Sequence, residues 1–529
     1  MNYFDLTYAF LFLPIVIIIY NIMPKKIRPA ILLLASFLFF FMISKFLIIF
    51  LLLSIVSIYM GARKMGSLDK KKNELLEVAS KEDKKEIKDA YRKKKKSILI
   101  LVILFNITFL FVFKYLKFFT VNANFLLDCM KVGWRFQILK LIAPIGISFY
   151  TLQALSYVID VYNEKIEADK NFLRVALFLS FFPQIMEGPI ARYSETAKSL
   201  YERVRVNYHN LCFGYQRILY GFFKKFVIAD RLNVVVGKVF ENYTCYSGAA
   251  IACAIIAYTI MLYMEFSGTM DVVIGTGEIF NVKLPENFRQ PFFAKNISEF
   301  WTRWHISLGA WFKDYIFYPV SLSKPMKKLT IKARKTLGNH FGPLISGAVA
   351  LFAVWFLNGL WHGAGWTFLF YGLYQFTLIL GGNLLEPFIK TVCIKLKINR
   401  QNLVYRILQS VKMTMFVFIG ELFFRAPTLA VGFGMLKRLF TKFQLSAITN
   451  GELFSLGMDK KDVLIVFLAL VFIFIISLLR EKKINIRESI SKKNVFIRWF
   501  IYYAFILAII IFGAYGPGYI PVDPIYADF

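Results

Sequence analysis

The chain has 529 residues, 58% hydrophobic and 18% aromatic, with a positive mean hydropathy, and this excludes an ordinary soluble globular protein. Its formal charge of +32 would suit a nucleic-acid binder, yet the basic residues gather between apolar runs rather than along a groove interleaved with aromatics. That placement matches positive loops facing an anionic leaflet and argues for a lipid bilayer, not nucleic acid, as the partner.

The first apolar run, Leu6 to Met23, ends at Pro24 and two lysines. No cleavage site of small residues follows it, so it reads as a retained helix. Residues 30–60 are too long for one crossing, which takes roughly 20 residues at about 1.5 Å each. Ser44 and Lys45 interrupt the run, and a tight helical hairpin is expected there. The basic segments 25–28 and 63–96 then share one side. The positive-inside rule makes that side cytoplasmic and puts the N-terminus outside. Residues 62–97 alternate Lys and Arg with Glu and Asp, as in a solvated helix or helix pair at the cytoplasmic face.

Further spans are expected at 98–118, 138–160, 172–190, 210–230 and 248–266, then at 343–358, 361–382, 404–424, 462–479 and 497–514. The stretch 267–320 is rich in Gly, Pro, Asn and charge but carries aromatic patches. At membrane depth such backbone survives only when buried in protein or lining a wet cavity, which predicts re-entrant or interfacial helices. No repeat or linker divides the chain. The expected fold is an all-α polytopic membrane protein of about 11 or 12 spans forming one domain over residues 1–529.

Chemistry concentrates between Pro285 and Trp366, which holds six of the eight tryptophans. Here His305 and His362 each stand beside a tryptophan in apolar surroundings. An ionisable residue at membrane depth is costly and points to function. Trp361-His362-Gly363 is expected at the start of an apolar helix, after an interruption at Asn358-Gly359. Imidazole is the group best able to take a proton from a hydroxyl near neutral pH. Glycines 359, 363 and 365 would permit close approach of a ligand or of another backbone.

His305 falls in an amphipathic segment between Arg303 and Lys313-Asp314, and helical spacing puts it on one face with Trp301, and Trp304 with Trp311. The other histidines, His209 and His340, sit near basic loop ends. Ser148, Tyr150 and Gln153 lie inside an apolar span, where they serve either as glue between helices or as a cavity lining. Trp304, Asp314, Asn358 and Trp361 are further cavity-lining candidates. Asp271, in FSGTMD, reads as a helix cap at a span's end. The five cysteines are scattered without ligand spacing, so neither a metal site nor a disulfide framework is expected. The last eight residues, VDPIYADF, are aromatic and apolar enough to fold back into a cavity.

Four blocks carry a resemblance: PIGISFYTLQALSYVIDVY from Pro144, FFPQIMEGPIARY from Phe181, ENFRQPFFAKNISEFWTRWHISLGAWFKDYIFYP from Glu286, and GLWHGAGWTFLFYGLYQ from Gly359. Together they are similar to the membrane-bound O-acyltransferase family, and within it to the bacterial alginate O-acetylation branch, with the teichoic-acid D-alanylation proteins as relatives. The resemblance implies a ring of helices around a central funnel. It also implies that His362 is the catalytic histidine and His305 the second polar position of the site. Tyr526 resembles the tyrosine of the family's C-terminal aromatic motif, a candidate acyl relay.

The function so implied is O-acetylation of an extracytoplasmic cell-wall polysaccharide or exopolysaccharide from the bacterial cell membrane. The donor would be acetyl-CoA, drawn to the basic cytoplasmic loops, and a separate extracytoplasmic transferase would be the partner. D-alanyl transfer from a carrier protein is the alternative within the class. A secondary transporter is the alternative outside it, disfavoured because no paired half-repeats are visible.

Overall fold

The structure, a computed structural model, describes residues 2–515 and 521–522. Among the described residues the fold is helical throughout, and the one β contact is an isolated bridge between Phe288 and Trp304. Among the described residues, eight helical segments are long and apolar enough to cross a membrane: Arg28–Val78, Asp83–Cys129, Gly248–Ile279, Lys324–His362, Trp366–Lys395, Leu403–Arg425, Lys460–Glu481 and Val495–Phe512. The described residues divide into two compact units, one of residues 2–217 with Val272–Pro285, the other of Ile218–Asp271 with the described residues from Glu286 onward.

In the first unit, α1 (Leu13–Ile22) and α2 (Arg28–Ser44) precede α3 (Ile48–Val78), α4 (Asp83–Leu110) and α5 (Leu116–Cys129). Lys45 separates α2 from α3 with φ +48°, so the interruption expected there is a backbone break. The charged insert is helical, α3 and α4 carrying on well past their apolar portions. Buried Lys95 reaches both Asp69 oxygens at 2.8 Å and Glu164 at 3.1 Å, while Lys72 reaches Glu164 at 2.7 Å. The hydrogen bond from Lys72 is the main reason the Glu164 carboxyl is held down at about 2.

Four expected crossings are shorter helices, the first of them Thr7–Ile22. Residues 138–146 are irregular and α6 (Ile147–Tyr162) starts only at Ile147. Gly146 has φ +68° and packs so tightly on the Ile185 carbonyl that a Cβ would collide with it. α7 (Phe172–Ser180) stops before FFPQIMEGPIARY, which is buried from end to end and non-helical up to Arg192. α8 (Tyr193–Tyr201) follows. α9 (Tyr208–Phe222) is also short and passes into a π-helical turn, Phe223–Ala229.

The second unit takes in the C-terminal end of α9, the π-helical turn, α10 (Asp230–Glu241) and the greater part of α11 (Gly248–Ile279). α11 runs straight through FSGTMD, so Asp271 is not the cap that its glycine neighbour suggested. It lies buried mid-helix, 2.7 Å from the Lys224 ammonium, which also donates to Ser267 at 3.1 Å. With a cation of opposite sign available, the carboxylate stays inside the helix. Short helices follow: α12 (Ile297–Arg303), α13 (Ile306–Phe312) and α14 (Tyr318–Ser321). The long α15 (Lys324–His362) is kinked at Gly338, whose φ is +78°, and pairs with α16 (Trp366–Lys395), which turns into α17 (Leu403–Arg425).

Candidate active site

Both histidines of interest belong to the second unit. His362 is the last residue of α15, not the first of the next helix: Asn358 and Gly359 continue α15, and the break falls at Gly363, whose backbone is extended. The space beside these glycines is filled by protein. A Cβ on Gly359 would meet the Phe368 carbonyl, one on Gly363 the Phe368 ring, and one on Gly372 the Trp355 carbonyl. Small residues therefore let α15 and α16 approach closely and set His362 at a fixed height between them.

His305 is placed by a different device. α12 ends at Arg303, Trp304 is extended, and His305 takes a left-handed conformation with φ +47° before α13 begins. His305 and Trp301 therefore do not share one helical face, nor do Trp304 and Trp311. The cause is a short pairing with the preceding strand-like segment: Arg289 N–H donates to Arg303 O at 2.9 Å and Ile306 N–H to Asn287 O at 3.0 Å. Backbone strain of this kind at a non-glycine residue persists only when the surroundings over-determine it.

Asn287 supplies that determination. Its Oδ1 accepts from Ser307 N–H at 3.0 Å and Ser307 Oγ at 2.9 Å, and lies 3.3 Å from His305 Nδ1. An amide oxygen only accepts, so this contact assigns the imidazole proton to Nδ1. Outside the eight crossing segments and fully enclosed, the His305 imidazole is pushed down by burial to about 3 and is neutral at working pH.

Trp361 joins the two histidines. Its indole centroid lies 5.7 Å from the His305 ring and 5.0 Å from the His362 ring, edge-on to each. Phe424 closes the far side of His362 at 5.1 Å and Phe266 that of His305 at 4.8 Å. Asn358, one turn before His362 on the same face of α15, is buried, and its Oδ1 has no hydrogen-bond partner among the described residues.

The remaining candidates fall in several places. Trp304 is buried and stacks on Phe300 at 5.5 Å, forming a wall of the aromatic layer under His305. Asp314 is exposed on the π-helical turn Lys313–Phe317. Ser148, Tyr150 and Gln153 are buried in the first unit, where Ser148 accepts from Lys114 at 3.1 Å and Gln153 donates to the Pro189 carbonyl at 3.4 Å. Tyr526 lies outside the described residues. Sequence reading missed Glu421 and Gln375. Buried Glu421 accepts from Tyr371 Oη at 3.2 Å, with the Tyr371 ring 6.3 Å from His362, and Gln375 accepts from Trp301 Nε1 at 3.2 Å. A lone carboxylate inside the apolar run of α17 was the available signal.

The chain matches the model of the membrane-bound O-acyltransferase family over residues 88–334, a range that contains His305 and stops before His362. It is 34% identical over 303 residues to the peptidoglycan O-acetyltransferase of Helicobacter pylori, covering 52% of this chain and 53% of that protein. It is 29% identical over 468 residues to the "Probable alginate O-acetylase AlgI" of Pseudomonas aeruginosa, covering 88% and 80%. It is 30% identical over 262 residues to the teichoic acid D-alanyltransferase of Bacillus subtilis, covering 47% and 62%. The chain thus spans about half the length of the Helicobacter protein and four fifths of the Pseudomonas one. With its crossing helices, the chain is a multi-pass membrane protein that carries a membrane-bound O-acyltransferase family domain over residues 88–334.

Proposed function

We propose that this acyltransferase carries an acetyl group across the bacterial cell membrane for O-acetylation of an extracytoplasmic cell-wall polysaccharide or exopolysaccharide, with its N-terminus outside. The observation that supports the reading is the pair of buried imidazoles, each in contact with the Trp361 indole, with His362 at the C-terminal end of α15. In the step proposed, the acceptor oxygen attacks the thioester carbonyl of acetyl-CoA while His362 takes its proton. The C–S bond then breaks, and the leaving thiolate receives that proton from the imidazolium.

His305 in its neutral form, with Nδ1–H turned to Asn287, offers a lone pair at Nε2 rather than an N–H. The oxyanion therefore needs a nearby donor, and the Asn358 amide is suited to it by burial and by its position one turn from the base. Tyr526 is proposed as first acceptor, with a separate extracytoplasmic transferase moving the acetyl group onward. Cells carrying His362→Ala in place of the wild type should lose envelope polysaccharide O-acetyl groups while the protein stays in the membrane. Unchanged O-acetyl content would end this reading.

The similarity to a D-alanyltransferase favours one second reading, D-alanyl transfer from a carrier protein. It would be supported if D-alanyl carrier, and not acetyl-CoA, supplied the acyl group to the purified protein.

A further inference from the structure

Where α16 turns into α17, the second unit forms a half-open cavity of about 580 Å³, with residues 295–298 on a third side. The size falls within the roughly 300–1,000 Å³ of small-molecule sites. Its floor is apolar, made by Ile297, Ile379, Met413 and Phe416, and its rim carries four cations: Lys295, Arg400, Arg406 and Lys412. One carboxylate, Glu386, lies among them, and Arg400 takes it in a two-pronged pair at 2.8 and 3.3 Å. Among the described residues Lys295, Arg406 and Lys412 form no ion pair, so three positive charges surround one cavity without compensation. Like charges so gathered repel, and an anion seated among them removes that cost.

The flanks of the cavity say what kind of anion. On α16, Leu385 and Phe388 next to Glu386 are exposed, and on α17 so are Ile407 and Leu408 next to Arg406. These helices have the length and hydropathy of membrane spans, so such side chains face acyl chains. Basic pockets between membrane helices are suited to phosphate headgroups. A phosphate held at the rim, with an apolar tail lying along the outer faces of α16 and α17, satisfies both features.

We propose that this cavity is a binding site for the headgroup of an anionic phospholipid, distinct from the histidine site and independent of the acyl-transfer reading. A soluble phosphate ester such as a coenzyme shares the headgroup chemistry but has no use for the apolar flanks.

The test uses the full-length protein, delipidated in non-ionic detergent, with phosphatidylglycerol or phosphatidylcholine added and lipid adducts counted by native mass spectrometry. The wild type should retain phosphatidylglycerol in preference. Arg406→Gln/Lys412→Gln should weaken that retention on the order of 30-fold, at about one order of magnitude or less per cation. Lys93→Gln/Lys94→Gln, an equal charge loss on the exposed α3–α4 hairpin, should not change it, and coenzyme A should not displace the lipid. Melting temperature in the same detergent reports folding, and Lys412→Gln alone serves if the double variant unfolds. Equal retention of both lipids, an equal loss in the hairpin variant, or displacement by coenzyme A would each overturn the assignment.

Discussion

The imidazole of His305 meets the indole of Trp361 edge to face, 5.7 Å between centroids, although Trp361 stands at the far end of the long kinked α15. Since the same indole touches His362, a change at either histidine's support is felt by the other. Trp361→Ala should remove both contacts, and acyl transfer should fall further than with Trp361→Phe, which keeps an aromatic ring in place. Equal activity of the two variants would show that the ring contacts do not position the site.

Asn358 is predicted to act on the reaction rather than on binding. Asn358→Ala should lower kcat by about 10²–10³-fold with little change in the donor KM, the loss typical of one oxyanion donor. A rise in KM at constant kcat would assign Asn358 to substrate binding instead.

The depressed His305 value fixes a pH dependence. Its folded form refuses a proton that the unfolded chain takes up below about 6.5, so its contribution is complete above that pH and is lost as pH falls toward about 3. At pH 5.5 the cost is about 1.4 kcal/mol relative to neutral pH. Denaturation in detergent at pH 7.5 and 5.5 should show that extra drop in the wild type and not in His305→Gln. The same drop in both would contradict the burial of a neutral imidazole.

The Lys224–Asp271 pair offers a test of the second unit away from the histidines. Lys224→Met leaves a buried carboxylate without its cation and should cost about 3–5 kcal/mol, whereas Lys224→Met/Asp271→Leu should recover most of the loss. Thermal melts of the three proteins would show whether the pair is a support of α11 or an incidental contact.

Two glycines of α16 should respond in opposite ways. At Gly372 a Cβ collides with the Trp355 carbonyl, so Gly372→Ala should destabilise by about 1–3 kcal/mol and displace α15, with activity falling as well. At Gly381 nothing lies within 4 Å of the added methyl, and Gly381→Ala should gain up to about 1 kcal/mol in melting experiments.

What could be read from the sequence depended on whether local pattern or distant partners decided the geometry. The break at Lys45, the helical insert and the long apolar helices follow from hydropathy, charge and length, which act locally. The positions of His305 and His362 do not. A regular 3.6-residue pattern cannot reveal that Asn287, many residues earlier, pulls Trp304 and His305 out of the helix. Nor can an Asn-Gly dipeptide show that its glycine continues a helix because α16 needs the space. Asp271 looked like a cap for the same reason: its partner, Lys224, belongs to another helix. Glu421 is legible in principle, as the lone carboxylate in the apolar core of α17, but its donor, Tyr371, stands on another helix.

The most direct test of His362 as the base of acetyl transfer is made on the purified protein with isotopically labelled acetyl-CoA. Peptide mass spectrometry would follow label on Tyr526, wild type beside His362→Ala, with melting temperature as the control for folding. The proposal predicts label on Tyr526 and release of free coenzyme in the wild type, both reduced by at least about 10²-fold in the variant. Equal labelling of two folded proteins would contradict it.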